Sequence, residues 1–253
     1  MPHAGILFAS WLLVLALATP AAPQRPDRPQ PTASPAPVQQ LTPEVRGDLA
    51  MIHHQYVAAI NFYRQTTQDS AIVWNKLGMA WHHLFAMDEA KRDYEHALRL
   101  RPDYPEALNN LGTVYYANKN YKKAVRYYRK ALAFDPQSAT MYSNLGVAYF
   151  AERNYEKGLL AYQKAFALDD TVFNDPDHFN VTEPLPAGKL AQQDYCIARI
   201  LAQSGKTASA LDFLRRALNE GFEDRRKIFA DQTLASVRAT PGFTRLMSEQ
   251  QQH

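Results

Sequence analysis

The stretch WNKLGMAW, Trp74 to Trp81, returns as LNNLGTVY at Leu108–Tyr115 and as YSNLGVAY at Tyr142–Tyr149, each copy 34 residues after the last. The register extends well beyond these stretches. Leu77, Leu111 and Leu145 share the interval, as do Gly78, Gly112 and Gly146, and Trp81, Tyr115 and Tyr149. Downstream, Ala90, Ala124 and Gly158 keep it, then Tyr94, Tyr128 and Tyr162, then Ala97, Ala131 and Ala165. Pro102 and Pro136 keep it too, with Asp170 in the third slot. A fixed period of this size is the mark of stacked structural units, each too small to bury its own apolar face.

The spacing within a unit sets its local structure. Trp74, Leu77, Gly78 and Trp81 fall at i, i+3, i+4 and i+7, one face of a helix. Ala90, Tyr94 and Ala97 line one face of a second helix. Short polar runs between them mark turns, and Pro102 and Pro136 end the second helix, because proline cannot continue it. The small residues Gly78 and Ala90 are expected to let the paired helices approach, with Trp81 and Tyr94 filling the gap to the next unit. The fold class this predicts is all-α, a right-handed superhelical solenoid of antiparallel helix pairs.

The pattern resembles the tetratricopeptide repeat, whose period it shares. The match is specific over residues 71–104, 105–138 and 139–172. Gly47, Ala50, Ala59 and Tyr63 fit the same columns and predict a degenerate first repeat over 43–70. Ile197, Ala198, Leu201, Ala210, Leu214 and Ala217 predict another over 191–224. Residues 173–190, rich in Pro and Asn, read as a loop insertion. Residues 225–253 read as capping helices and resemble the segment that follows many bacterial arrays of this family, with Val237 where that form has Leu. The resemblance as a whole is to an exported bacterial protein of this type.

The N-terminus is different in kind. The apolar run Ile6–Ala18 is too short for a comfortable membrane span and suits the core of a secretory signal, with Ala16-Leu17-Ala18 as a small-x-small cleavage site. The expectation is a signal peptide over 1–18 and export to the periplasm, the cell envelope or beyond. The alternative is an uncleaved N-terminal anchor. Residues 19–42 are Pro-rich and read as an extended tether without secondary structure.

Composition narrows the chemistry. A net charge of +3 carries no nucleic-acid footprint. The single cysteine, Cys196, cannot form an intrachain disulfide and is expected to pack. Ser204-Gly205-Lys206-Thr207 ends like a phosphate-binding loop but lacks the earlier glycine and the preceding strand. Arg46-Gly47-Asp48 falls in a packed column, and Asn180-Val181-Thr182 is a glycosylation sequon by letters alone. His53-His54 and His82-His83 are adjacent pairs whose rings diverge by about 100° on a helix, so neither chelates a metal from one face. No catalytic, metal or cofactor constellation stands out, so no enzyme activity, metal or cofactor is expected.

The expected function is a non-enzymatic scaffold that binds an extended peptide or a partner helix in its concave groove. By resemblance to the family, the first helix of each unit lines that groove. The groove residues this implies are Asn75, Met79, His82, Asn109, Asn110, Thr113, Tyr116, Ser143, Asn144, Val147, Phe150 and Arg199. Asn side chains can pair with a peptide main chain, and flat rings can hold apolar groups. The family's clamp for chaperone C-termini is absent: of Asn75, Met79, Asn110, Thr140 and Asn144, only Asn110 matches. The partner is a protein or peptide, with no nucleic acid and no membrane span after signal cleavage. The alternative is a structural component of an envelope assembly that self-associates as a homo-oligomer.

Overall fold

The structure, a computed structural model, describes residues 41–66, 69–173 and 187–249. The expected signal peptide, most of the Pro-rich segment, most of the expected loop insertion and the sequon at Asn180 lie outside these residues. The described chain is helical, and no strand occurs in it.

The helices come in pairs. α1 (Pro43–Ile52) and α2 (Tyr56–Tyr63) form the first. α3 (Ala71–His83) and α4 (Met87–Leu100) form the second, α5 (Pro105–Ala117) and α6 (Tyr121–Phe134) the third. α7 (Ala139–Ala151) pairs with α8 (Tyr155–Leu168), and α9 (Ala187–Gln203) with α10 (Thr207–Asn219). α9 starts at Ala187, so Ala187–Leu190 are helical rather than part of a loop. The chain then closes with α11 (Arg225–Ala230), a 3-10 turn at Gln232–Leu234, α12 (Ala235–Arg238) and α13 (Pro241–Glu249).

Helix starts follow local chemistry. Ser70 and Ser138 accept from the backbone N–H groups of Val73 and Met141 at 3.4 and 3.3 Å, capping α3 and α7. Pro105 opens α5, where its missing N–H is not needed. The turns after the first helices share one device. Phe85, Lys119 and Arg153 adopt φ of 58°, 59° and 61°. The following N–H groups of Ala86, Asn120 and Asn154 reach back to Trp81, Tyr115 and Tyr149 carbonyls at 3.0, 2.8 and 2.9 Å. This left-handed closure satisfies the free carbonyls at the helix end. Gly205 fills the same role after α9, with φ of 79°.

Within a pair, a tyrosine ring lies flat on a glycine. A Cβ placed on Gly78 would stand 2.5 Å from the Tyr94 ring, and one on Gly112 would stand 2.7 Å from Tyr128. Gly47 faces Tyr63 and Gly146 faces Tyr162 in the same way. All four rings are fully buried. Tyr94 therefore fills space inside its own unit as well as touching Leu111 and Val114 of the next. In the last pair Ala198 stands in the glycine column and Leu214 in the tyrosine column. The larger small residue comes with the smaller large one.

Pairs stack on pairs. The first helices touch one another in turn, α3 to α5, α5 to α7 and α7 to α9, while the second helices make no comparable contacts among themselves. The row of first helices is therefore the inner side of the array. At the far end α12 and α13 pack on α10, burying Leu234, Val237, Phe243 and Leu246. Asp231 ties this segment down: it pairs with Arg199 Nε at 2.7 Å and accepts from Tyr195 Oη at 2.6 Å.

The turn geometry yields a stability test. A side chain at positive φ costs about 1–2 kcal/mol, partly offset by the chain entropy of the glycine that would remove it. Phe85→Gly and Arg153→Gly are each expected to stabilise the fold by about 0.5–1 kcal/mol in urea unfolding. A loss of stability would mean the two turns are not strained.

Candidate functional site

The inner helices carry a polar ladder that crosses from unit to unit. Lys76 Nζ on α3 donates to Glu44 and Asp48 on α1, each at 2.8 Å. Asn110 Nδ2 on α5 donates to Asn75 Oδ1 on α3 at 3.1 Å. Asn144 Nδ2 on α7 donates to Asn109 Oδ1 on α5 at 3.0 Å. Each rung joins one column of the later unit to its neighbouring column in the earlier one. The rung fails at α9, where Cys196 replaces the donor. Its expected acceptor, Ser143 Oγ, is buried without a hydrogen-bond partner, and so is Asn144 Oδ1. Beyond that point the linkage passes to Tyr195, Arg199 and Asp231.

The second polar tier involves the buried tyrosines. Tyr63 Oη donates to Asp48 at 2.8 Å, and Tyr128 Oη to Thr113 Oγ1 at 3.1 Å. Thr113 in turn donates to the Asn109 carbonyl at 3.3 Å.

These contacts decide where the expected groove residues lie. Asn75, Asn109, Thr113, Tyr116, Ser143, Asn144, Val147 and Phe150 are all buried in the ligand-free chain. The Asn side chains among them form inter-unit rungs, and Tyr116, Val147 and Phe150 belong to the main core. The physical reason is complementarity. A primary amide that has an amide of the next unit within 3.1 Å satisfies itself internally. Met79 is exposed, while His82, Asn110 and Arg199 are half-buried. Arg199 is committed to Asp231.

An open strip does run along α3. Ile72 is 43% exposed and Met79 37%. Seven residues apart, they share a helical face, and exposed His83 continues it four residues further. Met79 Sδ lies 3.7 Å from Asn75 Nδ2, so the strip borders the ladder. His83 stacks on Tyr56 with ring centroids 4.7 Å apart. Ile72 and His83 stand outside the expected groove set, although their spacing from Met79 puts them on its helical face.

Titration reflects the same packing. Burial, helped by the neighbouring His83, pushes the His82 imidazole down to about 4. Burial pushes the Cys196 thiol up, against the weaker pull of Gln192 and Arg199. Burial opposes the charge on Asp231, yet hydrogen bonds from Tyr195 and Thr233 hold its carboxyl below the usual range. Among the described residues no group of three or more His, Cys, Asp or Glu side chains could hold a metal ion.

His82 sets a pH window. In the unfolded chain it protonates near its ordinary value of 6.5, and in the folded chain only near 4. The unfolded state thus takes up the proton first, and stability falls as pH drops from about 6.5 to about 4. His82→Gln is expected to remove on the order of 2 kcal/mol of that loss in denaturant melts across this window. An unchanged slope would place the histidine in water.

Three family models match the chain. One described as a tetratricopeptide repeat covers residues 105–138, a second described as a TPR repeat covers 87–119, and a third described as a tetratricopeptide repeat covers 123–172. Among curated proteins there is no match. Solved structures share the fold. MamA from AMB-1 is 19% identical with a TM-score of 0.50, over 71% of this chain and 98% of that one. MamA from Desulfovibrio magneticus RS-1 is 20% identical with a TM-score of 0.49, over 69% of this chain and 90% of that one. YrrB, described as a TPR protein with an unusual peptide-binding site, is 18% identical with a TM-score of 0.47, over 74% of this chain and 89% of that one. With family models matching residues 87–172 and the paired helices stacked as the 34-residue register requires, this chain carries tetratricopeptide repeats.

Proposed function

We propose that the chain is a non-enzymatic scaffold that holds an extended peptide or a partner helix on its inner-helix face, in the periplasm or cell envelope. The observation that carries this is the open strip of Ile72, Met79 and His83 beside the polar ladder. Apolar side chains left in water along one helix face, next to a rigidly bridged row of amides, suit a ligand that brings its own apolar side chains. The ladder keeps the inner helices in register, so the strip is preformed and little ordering cost falls on binding. Export rests on the apolar run Ile6–Ala18 and the Pro-rich segment after it. The single thiol, Cys196, is buried with its pKa raised and so is poorly placed to act as a nucleophile.

A second reading has its own observation. α1 leaves Val45, Leu49 and Ile52 exposed along one face, and Leu41 just before it is exposed too. Leu49 stands in the column where Ala80, Val114 and Ala148 are buried against the preceding unit. Among the described residues the array is thus capped at α13 and uncovered at α1, and self-association through α1 is the alternative.

One comparison tests both. The full chain and an Ile72→Asp/Met79→Asp variant serve as baits in envelope extract, with light scattering on each. A partner held by the wild type and lost at least tenfold by the variant, both being monomers, supports the inner-face reading. A partner equally bound to both overturns it, and a concentration-dependent dimer favours α1.

A further inference from the structure

The outer helices differ in charge. α4 carries Asp88, Glu89 and Glu95 among its cations, and these offset one another along the helix: Arg92 pairs with Glu89 at 3.1 Å and Lys91 with Glu95 at 3.8 Å. α8 has Glu156 in its first turn. α6 reads YKKAVRYYRKALAF and has no acid at all. Its Lys122, Lys123, Arg126, Arg129 and Lys130 are exposed and form no ion pair among the described residues. At the helical rotation they fall within roughly 120° of the circumference, along roughly 12 Å of axis.

This placement works against the helix itself. The first turn of a helix holds the positive end of its dipole and disfavours cations. Lys122 and Lys123 stand in that turn, in the columns where α4 has Asp88 and Glu89. The cations also repel one another with no acid between them. No carboxylate among the described residues pairs with these cations, while a chain net charge of only +3 shows that the concentration is local.

Apolar and aromatic groups share the same side. Phe134 ends α6 at 54% exposure, and Leu160 stands on α8 in the column of Arg126 at 63%. Tyr115 and Tyr127 stack at 5.2 Å, with Lys123 5.1 Å above the first ring and Lys130 5.4 Å above the second. An acidic peptide or a nucleic acid would pair with the cations and leave Phe134 and Leu160 in water. An anionic bilayer accepts both, with phosphates at the cations, tyrosines at the headgroup level and the apolar tips at the acyl boundary.

We propose that the outer face of α6, with Phe134 and Leu160 beside it, docks on an anionic lipid surface. It leaves the inner helices facing away from the bilayer, free to hold a protein. The inference does not rest on the reading of the inner face.

The test is flotation of the full chain with phosphatidylcholine vesicles, with and without roughly 30% phosphatidylglycerol, at low and high salt. The variant is Lys122→Gln/Arg126→Gln/Arg129→Gln, with circular dichroism to confirm its fold. The N-terminal apolar run is common to both chains and binds neutral vesicles as well, so the partitioning measured on phosphatidylcholine alone is subtracted before the two chains are compared. The wild type is expected to partition about 100-fold better than the variant onto the anionic vesicles, and to lose that advantage on neutral ones or at high salt. Phe134→Ser/Leu160→Ser is expected to weaken binding several-fold without changing its salt dependence. Equal partitioning of wild type and triple variant overturns the proposal. So does tighter binding of duplex DNA or polyglutamate than of anionic vesicles, since the cations would then serve another partner.

Discussion

Everything in this array depends on a tyrosine ring lying against a glycine. Because Gly78, Gly112 and Gly146 have no Cβ, the two helices of a unit close until the rings of Tyr94, Tyr128 and Tyr162 are fully buried between them. The ring then presents its far edge to the next unit, as Tyr94 does to Leu111 and Val114. One contact thus fixes both the spacing within a pair and the surface on which the next pair stacks. A smaller ring partner would leave a void, and a larger glycine substitute would push the pair apart. The last pair, with Ala198 against Leu214, keeps the summed volume by changing both members.

On that apolar frame the polar groups are sorted by side. From α1 to α7 the inner side bridges its own polar groups: Lys76 with Glu44 and Asp48, Asn110 with Asn75, Asn144 with Asn109. These bonds cross between units and give the inner row a fixed register, where apolar stacking alone would tolerate sliding. The outer side does not satisfy itself. α4 pairs its own charges, whereas the basic face of α6 forms no ion pair among the described residues. The two faces therefore differ in what they can bind. The inner one offers a preformed strip beside closed hydrogen bonds, and the outer one offers charge without a partner.

Much of this was legible in the sequence. The 34-residue columns located the helix pairs, and α3, α5 and α7 begin at Ala71, Pro105 and Ala139, where the repeat units were expected to begin. The Asn columns were legible as columns, but their roles were not. The Asn rungs join residues 35 apart, so a reading that aligns positions 34 apart places donor and acceptor in different columns and misses the bond. The turn column was hidden for another reason. Phe85, Lys119 and Arg153 take a conformation that glycine signals, and none of them is glycine. The place of Tyr94 within its own unit follows from packing that spacing alone does not encode. The basic face of α6 stood in plain letters, yet its isolation became clear only when α4 was seen to pair its own charges.

The central claim is that the Tyr–Gly contact sets the unit, and a double-mutant cycle on Gly112 and Tyr128 addresses it directly. Stability would be measured by urea unfolding for the wild type, Gly112→Ala, Tyr128→Leu and the double variant. The account expects Gly112→Ala to cost about 1–3 kcal/mol beside Tyr128 and little or nothing beside leucine, since Ala198 and Leu214 already coexist in the chain. The coupling should then reach at least about 1 kcal/mol. Equal costs in both backgrounds would show that the ring and the glycine do not constrain each other, and the account of how this array holds its shape would fail.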